Sequence, residues 1–222
     1  MLPDSFPCDL ISWDSSYHLA KKLAARIRES GYRPDLVIAI GRGGFVPARV
    51  VCDFLLHEKL TSIKIEHWGS AAQIKEKAMV MFPLSIDVRG LRLLVVDDVT
   101  DTGETLDAAV RYLDSCNPGE IRTAVLQHKD TSAFIPDFFA ERVCEWRWII
   151  YPWAAYEDVS GFAGRVLSSV PLSDADVRRA LLARFGIAVS DGDLGAILSD
   201  MIESGKAERT EAGCRRPDPP SA

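Results

Sequence analysis

Apolar positions along the chain follow two alternating rhythms. Asp35-Leu-Val-Ile-Ala-Ile40 and Leu93-Leu-Val-Val96 are short, nearly unbroken apolar runs rich in β-branched residues, the pattern of strands buried on both faces. Around them, apolar residues recur at helical steps. Leu19, Leu23 and Ile27 form one stripe, predicting a helix from the Ser12-Trp13-Asp14 cap to about Ser30, closed by Gly31 and Pro34. Val50, Val51, Phe54 and Leu55 mark a second helix with Pro47 in its first turn, and Leu106, Ala109, Val110 and Leu113 a third. Further strands are expected at 62–68, 122–129 and 145–153, with a turn at 135–139. Residues 69–83 lose all periodicity and read as a long loop. Strands alternating with helices predict an α/β fold: a mostly parallel twisted sheet with helices on both faces and ligands at the carboxyl ends of the strands.

The character changes near Pro171. A helix from Asp174 carries Val177, Leu181 and Leu182; a second, from Asp191 to Gly205, carries Leu194, Ile197, Leu198, Met201 and Ile202; residues 206–214 suit a small wing or hairpin. The expected organisation is therefore a domain over 1–165, a small helical, winged-helix-like appendage over 166–214, and a disordered Pro-rich tail over 215–222.

Charge narrows the function classes. The net charge of −6 disfavours a general nucleic-acid binder. The appendage does not reverse this, since residues 171–222 hold seven basic and nine acidic side chains. The five cysteines are scattered, which suits reduced thiols in a cytoplasmic protein. The sequence offers neither a secretory signal pattern nor an apolar run of the roughly 18 residues that a membrane helix needs.

Candidate chemistry concentrates where the apolar runs end. After Leu93–Val96 come Asp97 and Asp98, then a loop with Asp101, Thr102, Gly103, Glu104 and Thr105 that opens the third helix. Loop amides, threonine hydroxyls and a helix N-terminus suit a phosphate. The two acids suit sugar hydroxyls or a divalent cation instead, because like charges repel. After Ile40 comes Gly41-Arg42-Gly43-Gly44, where bare backbone surrounds a guanidinium, a second candidate anion site. Two acids at a strand end would alone mean only a solvated turn; the whole thirteen-residue stretch 93–105 carries more.

Residues 93–105 resemble the signature of type I phosphoribosyltransferases. The resemblance implies that fold and binding of 5-phosphoribosyl 1-pyrophosphate (PRPP) with Mg²⁺. It assigns the 5′-phosphate to Asp101 through Thr105, and the ribose hydroxyls to Asp97 and Asp98. The same two acids would meet the metal, directly or through water and PRPP. By the same resemblance Gly41–Gly44 holds pyrophosphate, with a non-proline cis peptide at Gly41–Arg42, and the 69–83 loop closes over the site. No residue of that loop is carried over from the family: Lys75 and Lys77 are within reach of a pyrophosphate but read first as solvated surface lysines. Lys129, with Trp148-Ile149 followed by Pro152-Trp153, is similar to the base site of xanthine-guanine phosphoribosyltransferases. That pattern implies Lys129 donating to a purine O6, Trp148 stacking on the ring, Ile149 offering backbone groups to its edge, and Asp101 accepting a proton near N7. A lysine, all donor and no acceptor, favours a 6-oxo over a 6-amino group. Catalytic roles fall on Asp101 and Arg42. A small hood from the N-terminal segment and residues 130–155 would cover the base, and the family commonly forms homodimers. Two alternatives stay open: an adenine or other-base enzyme, and a PRPP-sensing regulator whose appendage binds nucleic acid.

Overall fold

The computed structural model describes residues 3–68 and 74–217. The chain divides into two compact units, one of residues 12–69 and 74–146, the other gathering the described residues of 1–11 and 147–222. The division between the two units falls after Trp146.

In the first unit, helix α1 (Trp13–Glu29) starts where Ser12 accepts the Ser15 N–H, and its C-terminal end is followed by Gly31 at φ 76°. Strand β2 (Leu36–Gly41), helix α2 (Phe45–Leu55), β3 (Leu60–Trp68), β4 (Ile74–Phe82), β5 (Arg92–Thr100), helix α3 (Glu104–Asp114), β6 (Glu120–Lys129) and β7 (Phe138–Val143) follow. β1 (Cys8–Leu10) belongs to the other unit. Among the described residues the sheet has the order β4-β3-β2-β5-β6-β7, parallel throughout except for β4. Alternate residues of a strand face opposite sides. Leu36, Ile38 and Ile40, with Leu93 and Val95, pack against Leu106, Ala109 and Leu113 of α3. α1 and α2 pack on each other, α1 on β6 and β7 and α2 on β2, β3 and β5.

This topology places a site before any side chain is considered. From β2 the chain crosses to β3 on one side; from β5 it crosses to β6 on the other. Crossovers of one hand running in opposite directions put their helices on opposite faces of the sheet, leaving a crevice between the carboxyl ends of β2 and β5.

Several expectations change. The segment read as an aperiodic loop is largely β4, paired antiparallel to β3 with register shifts between Lys64 and Ile65 and between Glu66 and Trp68. An edge strand with broken register needs no clean alternation, so its pattern is weak. Residues 69–73 of that expected loop lie outside the described residues, as do the side chains of Lys75 and Lys77. The turn expected at 135–139 runs into β7, and 138–143 joins the main sheet rather than a hood.

In the second unit, β8 (Trp148–Ile150) replaces the long strand expected over 145–153, and it pairs in parallel with β1. Helices α4 (Ala155–Val166), α5 (Asp174–Phe185) and α6 (Asp191–Glu203) precede a hairpin of β9 (Glu208–Thr210) and β10 (Gly213–Arg215). Ser173 and Ser190 cap α5 and α6 by accepting the N–H groups of Asp176 and Asp193, each at 3.1 Å. Leu172, between α4 and α5, makes an isolated antiparallel bridge to Cys214 of that hairpin. Gly213 is required there: a Cβ on it would lie 2.2 Å from the Leu172 oxygen. Residues 215–217, expected to be disordered, are ordered against this module, with the Arg216 N–H donating to the Ser168 carbonyl at 2.8 Å.

Candidate active site

The apolar run of β5 ends at the acidic pair. Asp97 is 8% exposed, and its Oδ1 accepts the Asp98 N–H at 3.0 Å. Asp98 in turn accepts the Val99 N–H at 2.8 Å. Burial, and then the charge of Asp98, push the Asp97 carboxyl well above the usual carboxylate range, against the Asp98 N–H and Lys64.

The sign of the resulting pH dependence follows. Below about pH 4 Asp97 is protonated in the folded and unfolded chain alike. As pH rises from there towards the raised folded value, only the unfolded chain ionises freely, so stability is lost. Asp97→Asn keeps an oxygen for the Asp98 N–H. The ligand-free variant should therefore melt several degrees higher than wild type at pH 7 and at the same temperature at pH 3. Equal shifts at both pH values in thermal denaturation would refute the buried-charge explanation.

The glycines of the β2 loop are fixed by close approach. A Cβ on Gly43 would lie 2.5 Å from Asp98 Oδ2, so this loop rests directly on the acidic pair. A Cβ on Gly44 would lie 2.3 Å from the Val96 oxygen. The Gly41–Arg42 peptide bond is cis, as the sequence resemblance implied. Arg42 between them is exposed.

On the other side of the crevice, Gly103 at φ 88° opens α3, a conformation that favours glycine. A Cβ there would meet Phe134 Cβ at 2.4 Å. The Thr102 oxygen accepts the Ala133 N–H at 3.1 Å, and Thr102 Oγ1 lies 3.4 Å from the Glu104 nitrogen. A glycine at the cap position brings no side-chain acceptor to the α3 N-terminus, whose first amides have no intrahelical partner. Asp101, Glu104 and Thr105 frame that end, with Glu104 exposed and the other two half-buried.

Lys129, the last residue of β6, has only 3% of its side chain exposed, and its Nζ lies 2.7 Å from Asp101 Oδ2, a carboxylate 14% exposed. Trp146 Nε1 donates to Asp101 Oδ1 at 3.0 Å, and its ring centroid lies 5.1 Å from Lys129 Nζ. Thr131 Oγ1 donates to the Asp101 carbonyl at 3.2 Å. Both carboxylate oxygens of Asp101 thus accept a donor, one of them charged. Sequence reasoning missed this arrangement. Nothing local in sequence ties Trp146 to a carboxylate in another loop.

The structure therefore joins Gly41–Gly44, Asp97–Thr105 and Lys129 within one unit. Trp148 and Ile149 are in the other, where β8 pairs Trp148 with Cys8 and Ile149 with Asp9. Among the described residues no group of three or more His, Cys, Asp or Glu side chains is placed to hold a metal ion. The acidic pair supplies hard oxygen donors, the right type for Mg²⁺ but too few for a protein cage. It fits a cation shared with substrate oxygens and water.

Comparison with known proteins agrees with this geometry. A model of the phosphoribosyl transferase domain matches residues 10–158. The chain is 28% identical over 193 residues to the hypoxanthine-guanine phosphoribosyltransferase of Saccharomyces cerevisiae, covering 67% of this chain and 86% of that one. It is 30% identical over 143 residues to the xanthine-guanine phosphoribosyltransferase of Nitratidesulfovibrio vulgaris, covering 64% and 82%. The crystal structure of a purine phosphoribosyltransferase from Pyrococcus horikoshii superposes with a TM-score of 0.57 at 29% identity, over 66% of this chain and 93% of that one. The matched stretch spans well over half of the sequence, and this chain belongs to the phosphoribosyl transferase domain family.

Proposed function

We propose that the protein is a purine salvage enzyme that transfers the 5-phosphoribosyl group of PRPP to a ring nitrogen of a 6-oxopurine and releases pyrophosphate. One observation carries the choice of base: a buried lysine paired with a carboxylate at the carboxyl edge of the sheet. The lysine is a donor for a 6-oxo group and the carboxylate an acceptor for the proton that the base must lose.

In this reading the new bond forms between the base nitrogen and ribose C1 as the bond from C1 to the pyrophosphate oxygen breaks. The base proton passes to Asp101. Asp97 and Asp98 orient the ribose through its hydroxyls. The α3 N-terminus with Thr102 and Thr105 holds the 5′-phosphate, and Arg42 with the Gly43 and Gly44 backbone holds the pyrophosphate. Mg²⁺, held by Asp97 and Asp98 together with PRPP and water, would supply charge neutralisation for the leaving group. Lys129 gives up Asp101 Oδ2 in favour of the purine oxygen, which frees a lone pair on the acceptor. Trp148 and Ile149 keep the stacking and edge-recognition roles that the family resemblance implies for them.

The same reading takes the protein as a homodimer, as the resemblance implies, and as cytosolic, as the scattered cysteines suggest, with no nucleic-acid or membrane partner. No helix among the described residues is long and apolar enough to cross a membrane. The regulator alternative is weakened by the appendage's own ion pairs. Arg178 pairs with Asp191, Arg179 with Asp176, Arg209 with Asp174 and Arg215 with Glu208.

Purified protein with PRPP and Mg²⁺ should convert hypoxanthine, guanine or xanthine to the nucleotide and adenine poorly; a chain inert towards every base would overturn the proposal. Lys129→Gln should raise the KM for the 6-oxopurine about 10–100-fold, the scale of a hydrogen bond to a charged group, and narrow the preference over adenine. Unchanged discrimination would remove Lys129 from the base site.

A further inference from the structure

We propose that the C-terminal module is a positioning element for the base, acting on Trp148 through a cluster of three phenylalanines. This inference rests on the reading that Trp148 stacks on the purine.

β8, which carries Trp148 and Ile149, is three residues long, and its strand partner β1 is equally short. A two-stranded piece of that length has no stability of its own. What holds it comes from the module. Phe162 of α4 and Phe185, the last residue of α5, are fully buried, with ring centroids 4.8 Å apart. Phe6, just before β1, lies edge-on to both, at 5.7 Å from Phe162 and 5.3 Å from Phe185. The Trp148 ring meets Phe162 edge-on at 6.3 Å. Rings in such contact fix one another's tilt as well as their distance.

The backbone is tied in the same way. Arg184 donates to the Asp4 carbonyl from Nε at 3.1 Å and from Nη2 at 2.8 Å, while its own carbonyl accepts the Phe6 N–H at 3.0 Å. Arg165 Nη2 donates to the Pro3 carbonyl at 2.8 Å. The segment so clamped then accepts the Trp148 N–H at the Pro7 carbonyl, 2.9 Å. From α5 to Trp148 the path is therefore continuous in both side chains and main chain. The domain match stops at residue 158, so Phe162, Arg184 and Phe185 lie in a part of the chain to which nothing so far assigns a role in the reaction. The acids on α6 and the ion pairs of its neighbours leave nucleic-acid binding unsupported as the reason for the module.

Full-length Phe185→Leu, Arg184→Ala, Trp148→Ala and Leu198→Ala test the idea by steady-state kinetics with purine and PRPP varied separately. Phe185→Leu and Arg184→Ala should raise the purine KM about three- to tenfold, the scale of a lost aromatic or hydrogen-bond contact, and leave kcat and the PRPP KM within about twofold. Leu198→Ala, a buried position of α6 that is not one of the three rings, should lower the melting temperature without moving the purine KM. If Trp148→Ala raises the purine KM while Phe185→Leu and Arg184→Ala do not, the positioning role is wrong and the base site stands. If Trp148→Ala is itself silent, the stacking reading fails, and the inference with it. A rise in purine KM with Leu198→Ala equal to that with Phe185→Leu would also overturn it, since general loosening would then suffice.

Discussion

Asp101→Asn should lower kcat by about 10²–10⁴-fold, the usual loss when a positioned proton acceptor is removed. The substitution is nearly isosteric, so Trp146 Nε1 can still donate to an amide oxygen where it now meets Oδ1 at 3.0 Å. Lys129 cannot be satisfied equally well. Its Nζ, 2.7 Å from Oδ2, would face an uncharged amide, and its side chain is only 3% exposed. Removing one partner of a buried pair costs about 3–5 kcal/mol, so the variant should also melt several degrees lower. Stability and chemistry separate when the two partners are compared. Lys129→Gln breaks the same pair and should lose a similar amount of stability, but its kcat should fall far less than that of Asp101→Asn. Equal losses of kcat in the two variants would place the proton acceptor elsewhere.

Gly44→Ala should be the most damaging one-methyl change in the β2 loop. The φ of Gly44 is −72°, which any residue adopts, so the cost is one of space. The new Cβ would sit 2.3 Å from the Val96 oxygen and 2.9 Å from both the nitrogen and the oxygen of Ile40. All three are main-chain atoms of adjoining parallel strands, and none can swing aside as a side chain would. Overpacking of this kind costs about 3 kcal/mol or more, which in a chain of this size is roughly 6–12 °C in Tm. The loop would have to move off β5, so the KM for PRPP should rise at least about tenfold. Gly31→Ala gives the contrast: φ is 76°, but nothing lies within 4 Å, so only conformational strain of about 1 kcal/mol is expected and PRPP binding should be untouched. Equal losses in the two variants, measured by thermal denaturation and PRPP titration, would contradict the packing argument.

Much of this site was legible because it is local. A buried strand, two acids, a small-residue loop and a helix start occupy consecutive positions in 93–105, and β5, Gly103 and α3 follow in that order. The 41–44 loop was legible for the same reason. What escaped was long-range. Trp146 reaches Asp101 across 45 positions, and its closeness in sequence to Trp148 and Trp153 says nothing of where each side chain goes. Trp146 went to Asp101, Trp148 to Phe162, and Trp153 stacked on Tyr151 at 4.7 Å. β4 escaped for a different reason. A strand paired on one side only, with its register broken, is under little pressure to alternate, and its lysines and glutamate obscured the period. The reach of the appendage towards β8 could not be read at all, because it depends on Phe6 near the start of the chain meeting Phe162 and Phe185 near its end.

That last meeting bears on the order of assembly. β2 to β7 draw all their partners from one stretch of chain, Leu36 to Val143, which can pair as soon as it has left the ribosome. Cys8 must wait for Trp148, about 140 residues later, before β1 has anything to pair with. Closing so long a loop adds little to the equilibrium cost, because that cost grows only logarithmically with length, but it delays the event. Until then Phe6 and Cys8, both buried in the finished protein, have no covering surface. A segment synthesised before the whole of the main sheet is thus among the last to find its place.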